Sequence, residues 1–314
     1  MQSRRNEFDV TNQVKTTDPV EVNTEVRRIY LELYPDATPE VLNQGFADLS
    51  ALYQGLYPGY VGCETSYHDI QHVLDVTLAM ARLMDGYERT QHGSEPFGER
   101  LFRLGVLTAL FHDCGYIRSK KDTKHQHGAE YTIHHVTRSG LFLKNYMPKV
   151  GMPDLAGVAA QIVHFTGYEV PVGQIKVPSL IFRLLGNLLG SADIIAQMAD
   201  RCYLEKCHER LYPEFVLGGI TRKRKEDGTE EVVFASADDL VIKTPDFYQG
   251  ANKRLNESLG GAHRYAQGHF GGQNLYLEEA DRNIRFAQTI AEQGDMSLLK
   301  RRPPETLGED DKTD

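Results

Sequence analysis

Apolar residues recur every three or four positions along most of this 314-residue chain, which is the spacing of an amphipathic α-helix. Each such helix has an apolar face that is stable only when it packs against other helices. Thr38 followed by Pro39 is typical of a helix start. We therefore predict an all-α helical bundle. The segments with helical spacing are 22–34, 39–57, 66–87, 97–112, 125–146, 154–165, 179–210 and 274–292.

Both ends of the chain lack this spacing. Residues 1–20 are polar and aperiodic, and residues 301–314 contain two prolines followed by an acidic run. Such segments bury too little apolar surface to offset the entropy that they lose on ordering. We predict mobile tails over residues 1–20 and 296–314, and one helical domain over residues 21–295 between them.

A charged run interrupts the helical pattern in the second half of the chain. Residues 222–231 are mostly charged, and they contain Asp227-Gly228, a dipeptide typical of a tight hairpin turn. The run ends in Val232-Val233, which favours an extended strand. These signals predict a small β-hairpin insertion near residues 218–245.

Composition narrows the possible partners and the compartment. The net charge of -9 argues against binding of extended nucleic acid, because phosphate backbones are held by clustered lysine and arginine. The two most apolar windows, residues 101–111 and 180–198, are interrupted by charged residues, so neither predicts a membrane span. The start of the chain lacks the apolar stretch of a secretory signal. We expect a cytoplasmic protein with reduced thiols at its four cysteines, Cys63, Cys114, Cys202 and Cys207. The sequence does not indicate an oligomeric state.

Residues 67–76 contain two histidines at helical spacing. On a helix, His68, His72 and Asp75 would share one face, because they are separated by four and three positions. A single histidine on such a face is more often structural than a ligand. This segment therefore becomes a candidate site only in combination with others.

Two further segments place acids in apolar surroundings. The apolar helix predicted over residues 97–112 ends in His112-Asp113, and Asp193 is the one acid in the apolar stretch 184–198. Burying a carboxylate is costly unless a cation or hydrogen-bond donors compensate its charge. Adjacent positions on a helix point about 100° apart, so this His-Asp pair can share one ion only where the helix ends. Asp193 alone is equally well explained by a structural ion pair.

Taken together, His72, His112-Asp113 and Asp193 resemble the H…HD…D signature of the HD superfamily of metal-dependent phosphohydrolases. The resemblance spans roughly residues 60–210. It implies an HD-domain helical bundle in which each of these four residues is a ligand of a first divalent metal ion.

Two subfamilies resemble shorter stretches of the chain. Residues 67–76 are similar to the Tyr-His-Asn-x-x-His-Ala-x-Asp-Val motif of class I cyclic-nucleotide phosphodiesterases, with Asp at position 69. That similarity implies that His68 protonates the leaving oxygen. His127 and His164 resemble histidines that hold a second metal in HD-GYP and related proteins. His134, on the same predicted helix as His127, is a further candidate, although such histidines are more often structural.

The resulting hypothesis is a metal-dependent phosphohydrolase. It would hydrolyse a phosphodiester or phosphomonoester of a small, nucleotide-like substrate by metal-activated water. Asp113 would bridge one or two ions, because a carboxylate offers two oxygens. The donor set suits Mn, Mg, Fe, Zn, Ni or Co. The nearby Lys120, Lys121 and Lys124 are candidates for attracting substrate phosphate, although such a run is more often a solvated loop.

Two other functions fit the same residues. A di-iron oxygenase of the HD fold would need four histidines and two aspartates, which His72, His112, Asp113, His127 or His134, His164 and Asp193 would supply. A non-catalytic sensor module that keeps the metal for structural reasons is the second alternative, because a fold does not guarantee activity.

Overall fold

The structure is a computed structural model that describes residues 4–90, 95–225 and 228–305. Its regular elements are almost all α-helices, which confirms the predicted fold class. Short 3₁₀ and π turns join several of them. In chain order the α-helices are α1 Pro19–Leu33, α2 Glu40–Tyr53, α3 Ile70–Thr90, α4 Gly98–Leu110, α5 His135–Tyr146, α6 Ala156–Ile162, α7 Leu180–Ala199, α8 Tyr203–Lys206, α9 Tyr212–Leu217, α10 Ala237–Ile242, α11 Thr244–Lys253, α12 Ala266–His269 and α13 Leu275–Gln293.

The centre of the bundle is the pair α3 and α7. Helix α3 packs against α1, α4, α7 and α12, and nearly every side chain from Ile70 to Tyr87 is buried. Among the described helices, α7 is the one long and apolar enough to cross a membrane, and most of it is buried in this fold. Its packing against α3 and α13 accounts for that composition. Both central helices carry residues of the candidate site.

Two of the predicted helical segments are interrupted in the structure. Within the segment predicted as 179–210, α7 ends at Ala199 because Asp200 turns the chain. The Asp200 carboxylate accepts hydrogen bonds from the backbone N–H of Cys202 at 2.7 Å and from Lys206 Nζ at 2.5 Å. Within the segment predicted as 125–146, the regular helix α5 begins only at His135. A side chain that hydrogen-bonds to the backbone, as Asp200 does, can thus end a helix although the apolar spacing of the sequence continues.

The N-terminal segment differs from the predicted mobile tail. Residues 4–18 lie against the helices, and Asp9 is buried, where it accepts a hydrogen bond from Arg82 Nη2 of α3 at 2.6 Å. A buried arginine needs a partner carboxylate, and Asp9 supplies it. At the other end, Pro304 O accepts a hydrogen bond from Arg210, and residues 306–314 of the predicted acidic tail lie outside the described residues.

The predicted β-hairpin is confirmed. Strands β1 (Arg222–Arg224) and β2 (Glu230–Val232) pair antiparallel, with Arg222 opposite Val232. Asp227 of the predicted turn lies outside the described residues, while Gly228 has a φ of 84°, which glycine adopts without strain. The hairpin leads the chain back so that the Phe234 ring stacks on the Phe215 ring of α9.

Candidate metal centre

The end of α4 sets the geometry of His112 and Asp113. The helix stops at Leu110, and Phe111 already has the non-helical angles φ -115° and ψ 15°. His112 Nδ1–H donates to the carbonyl oxygen of Ala109 at 2.8 Å, so that in the neutral imidazole Nε2 is the nitrogen with the lone pair. Nε2 is buried without a hydrogen-bond partner among the described residues. Such an orphaned acceptor is what a metal ligand looks like without its metal.

Four predicted ligands from three parts of the chain converge here. His72 Nε2 from α3 lies 3.2 Å from Asp113 Oδ2 and 3.5 Å from Asp193 Oδ1 of α7. His112 Nε2 lies 3.2 Å from Asp113 Oδ2 and 3.9 Å from Asp193 Oδ1. Ligand atoms on a cation with bonds of about 2.1 Å are separated by such distances. His72, His112 and Asp113 therefore lie close enough together to hold a divalent metal ion, and Asp193 Oδ1 lies beside the two imidazoles.

The close contact of imidazoles and carboxylates in this cluster shifts the pKa values of His112 and Asp113. Burial alone would lower the pKa of His112, but the neighbouring Asp113 and Asp193 carboxylates raise that pKa to about 9. Burial would raise the pKa of Asp113, and His112 and His72 instead hold that pKa well below its usual range. A metal ion bound to His112 Nε2 would replace its proton, so metal affinity should fall in acid.

The second oxygen of Asp113 faces a histidine that was not among the predicted ligands. His135 Nε2, at the start of α5, lies 3.5 Å from Asp113 Oδ1. Its Nδ1–H donates to Thr132 O at 2.7 Å, and burial lowers the pKa of His135, so its Nε2 presents a lone pair. Two acceptors facing each other require a proton, a water molecule or a cation between them. Asp113 thus has a binding partner on each side.

The close approach that brings His135 to Asp113 depends on Gly115. A Cβ atom at position 115 would lie 1.8 Å from the backbone oxygen of His135, a separation that no side chain can tolerate. Gly115 N–H also donates to Ser139 Oγ of α5 at 2.9 Å. The glycine after the His-Asp pair therefore sets the distance between the pair and α5.

We predict that Gly115→Ala destabilises the protein by about 1–3 kcal/mol, because the methyl group must push α5 away. Urea unfolding of the variant measures this loss. Gly157→Ala is the matched control, since the added Cβ in α6 would have no described atom within 4 Å apart from its chain neighbours and its own helix backbone, and alanine there should be neutral or stabilising by up to about 1 kcal/mol. Equal stability of the two variants would contradict this role of Gly115.

His68 does not lie on the helix that carries His72, contrary to the predicted shared face. Helix α3 begins at Ile70, because Asp69 Oδ1 accepts the backbone N–H of His72 at 2.9 Å and thereby caps it. His68 is fixed instead by Glu214 of α9, whose Oε2 lies 2.6 Å from His68 Nδ1. Burial alone would lower the pKa of His68, but the Glu214 carboxylate outweighs it and raises that pKa.

A stack of rings connects the two flanking histidines. The Tyr116 ring stacks on the rings of both His68 and His135, with centroid distances of 4.3 Å to each. The other oxygen of Glu214 accepts the backbone N–H of Tyr67 at 2.5 Å. His68 is thus held both by an acid and by a stacked ring. Glu214 carries no spacing signal in the sequence, because it meets the site from a distant segment, whereas Tyr116 lies three residues after Asp113.

The structure does not bring the remaining predicted site residues into this cluster. His127 Nδ1 accepts the backbone N–H of Ala129 at 3.1 Å and caps a 3₁₀ turn, and His164 lies in another 3₁₀ turn. His134 is exposed. Lys120, Lys121 and Lys124 are also exposed. The cavity wall formed by the described residues includes neither these three lysines nor His127, His134 and His164. His134 directly precedes α5, whereas His135 is its first residue.

The cluster opens into a cavity of about 550 Å³. His68, His72, Asp113 and Asp193 all line it, and so does His135. A substrate in this cavity can therefore reach the candidate ligands and both flanking histidines. The rest of the wall is largely apolar, and much of it comes from residues 211–247.

No protein-family model matches the chain, and no curated protein matches it in sequence. Among solved structures, the chain is similar to the crystal structure of the phosphodiesterase domain of the RhoPDE fusion protein from the choanoflagellate Salpingoeca rosetta. The two chains share 12% sequence identity with a TM-score of 0.52, over 94% of this chain and 97% of the other. At that identity the likeness establishes a common fold.

Proposed function

We propose that this protein is a metal-dependent hydrolase of phosphodiesters and a member of the HD superfamily. The observation that carries the proposal is the convergence of His72, His112, Asp113 and Asp193, with an orphaned His112 Nε2, on a cavity large enough for a small substrate. The fold shared with a phosphodiesterase domain supports the reaction class. A divalent cation held by these residues supplies Lewis-acid activation of water and of the phosphoryl group.

The residues around the ligands have complementary tasks in this reaction. His68, whose protonated form is stabilised by the Glu214 carboxylate, donates a proton to the leaving oxygen of the ester. His135, whose pKa is lowered by burial, accepts a proton from the attacking water on the Asp113 Oδ1 side. The environments of the two histidines thus push their pKa values in opposite directions, which assigns one as the acid and the other as the base. Asp113 serves both sides through its two oxygens.

The di-iron oxygenase alternative requires four histidines around the two aspartates. In the described structure, His127 and His134 lie outside the cavity wall, as does His164. The positions expected to hold a second iron are therefore not assembled around Asp113.

A substrate panel tests the proposal. The purified protein, loaded with Mn²⁺, should hydrolyse bis(p-nitrophenyl) phosphate and at least one biological diester such as a 3′,5′-cyclic nucleotide. EDTA should abolish both activities, and Mn²⁺ should restore them. A nucleoside 5′-monophosphate tests monoester cleavage in parallel. Absence of turnover on every ester despite full metal loading would contradict the proposal and favour a sensor module.

We predict that Glu214→Gln moves the alkaline limb of the pH–rate profile to lower pH. His68 must be protonated to act as an acid, so activity is lost as the pH rises through its pKa. Without the Glu214 carboxylate, burial lowers the pKa of His68, and the loss begins earlier. Rates for an alkyl ester between pH 5 and 10 measure the shift. Glu209→Gln, at an exposed position before α9, should leave the profile unchanged, and an unshifted Glu214→Gln profile would contradict the assignment.

A further inference from the structure

One side of the cavity is formed by large apolar side chains, called here the apolar wall. Two of its rings, Phe215 of α9 and Phe234 after β2, stack with centroids 5.7 Å apart and 26° between their planes. Both remain partly exposed although they line a concave site. Apolar surface presented in this way is typical of a ligand contact. The members of the apolar wall are Leu211, Phe215, Ile220, Phe234, Leu240 and Phe247.

The charges in the cavity do not suit a second phosphate. Lys243 is the only lysine or arginine in the wall formed by the described residues. Its Nζ already donates to Val233 O at 2.8 Å and to Asp239 Oδ2 at 2.8 Å. Glu169 also lines the cavity, where it accepts the backbone N–H of Val136 at 2.9 Å. A polyanionic substrate would therefore meet an acid and a lysine that is already paired.

The rim of the cavity is apolar as well. Ile133, Tyr168 and Phe247 line the cavity, yet they are 55%, 72% and 45% exposed. The cavity volume of about 550 Å³ lies within the range of about 300–1,000 Å³ that small organic ligands occupy. A phosphate group at the metal centre fills only a small part of this volume. The remainder can hold an organic group that reaches from the metal centre to the rim.

We propose that the substrate is a singly charged phosphodiester whose non-leaving group is a large hydrocarbon or aromatic group seated against the apolar wall. This inference rests on the proposed phosphodiesterase function and adds the chemical class of its substrate. The phosphate lies at the metal centre, and burial of the organic group from water supplies most of the selectivity between esters. Phe234 contributes to this selectivity because the hairpin returns it to the cavity beside Phe215.

Binding of phosphinates tests the apolar contact without any turnover. Both carbon–phosphorus bonds of a phosphinate resist hydrolysis, so calorimetry on the Mn²⁺-loaded protein measures affinity alone. Diphenylphosphinate should bind at least about tenfold more tightly than dimethylphosphinate, with a negative heat-capacity change. Phe234→Ala should remove most of that preference. Val216→Ala, at a 50% exposed position of α9 outside the wall, should retain it.

Two esters with the same leaving group test the charge selectivity. The Mn²⁺-loaded protein should hydrolyse p-tolyl p-nitrophenyl phosphate with a kcat/KM at least about tenfold above that of the 4-carboxyphenyl ester, which is similar in size but carries a second negative charge. Equal turnover of the two esters, or equal binding of the two phosphinates, would overturn this inference and leave the phosphodiesterase function standing. Failure to hydrolyse either ester with metal bound would overturn the function itself, and this inference with it.

Discussion

Replacing Asp113 by alanine should remove the bound metal and lower kcat/KM for a phosphodiester by at least about 10³-fold, since loss of one group that stabilises transition-state charge already costs about 10²–10³-fold. Asp113 is buried between His72, His112 and His135, and its two oxygens face opposite sides of the site. Among the described residues no other acid replaces both contacts, since Asp193 Oδ1 lies on the side of His72 and His112. Metal content by mass spectrometry and steady-state kinetics on the same preparation measure both effects.

Asp154→Ala is the control for this experiment. Asp154 is an exposed acid paired with the exposed Arg100, so its removal should change neither metal content nor kcat/KM. Thermal unfolding of both variants shows whether lost activity comes from lost folding. An Asp113→Ala protein that keeps its metal and turns over diesters at the wild-type rate would refute the role given to Asp113.

Replacing His68 by glutamine should slow the hydrolysis of alkyl esters by about 10²–10⁴-fold, which is the usual contribution of a general acid. An alkoxide is a strong base and needs a proton as it leaves. The p-nitrophenolate ion is a weak base and leaves without one, so a p-nitrophenyl ester should lose far less rate. Comparison of the two leaving groups therefore separates proton donation from any general damage to the site.

The His68→Gln variant should also keep its metal, because His68 is anchored by Glu214 and Tyr116 rather than by the ligand cluster. His208→Gln is the matched control, since His208 is paired with the exposed Asp238 outside the cavity wall. A loss of the same size for both leaving groups would show that His68 positions the substrate or the ligands and does not donate the proton.

Helical spacing was sufficient to predict the fold class, because an amphipathic face needs a helical partner wherever it occurs. Helix ends were harder to predict. They depend on single side chains such as Asp69, which caps α3, and Asp200, which ends the regular part of α7. The packing of residues 4–18 escaped prediction because it depends on the buried Arg82, whose need for Asp9 is not visible in a polar segment.

The candidate site, like the fold, was predictable from the sequence only in part. The contiguous pair at 112 and 113 was informative because it stands at the end of an apolar helix, where a histidine and an aspartate can share one ion. By contrast, the preference for His127 rested on resemblance, and the structure brings His135 beside Asp113 instead. That contact depends on a backbone approach allowed by Gly115, which no spacing rule reveals. The pairing of Glu214 with His68 joins segments 146 positions apart and was equally invisible.

We expect the two imidazoles and the two carboxylates to hold one divalent cation beside the cavity. Crystals of the protein soaked in Mn²⁺ and measured at a wavelength of strong manganese anomalous scattering test it directly. We predict an anomalous peak within bonding distance of Nε2 of His72 and His112 and of the carboxylates of Asp113 and Asp193. Well-ordered density for these four side chains, with no anomalous peak among them at saturating Mn²⁺, would contradict the account.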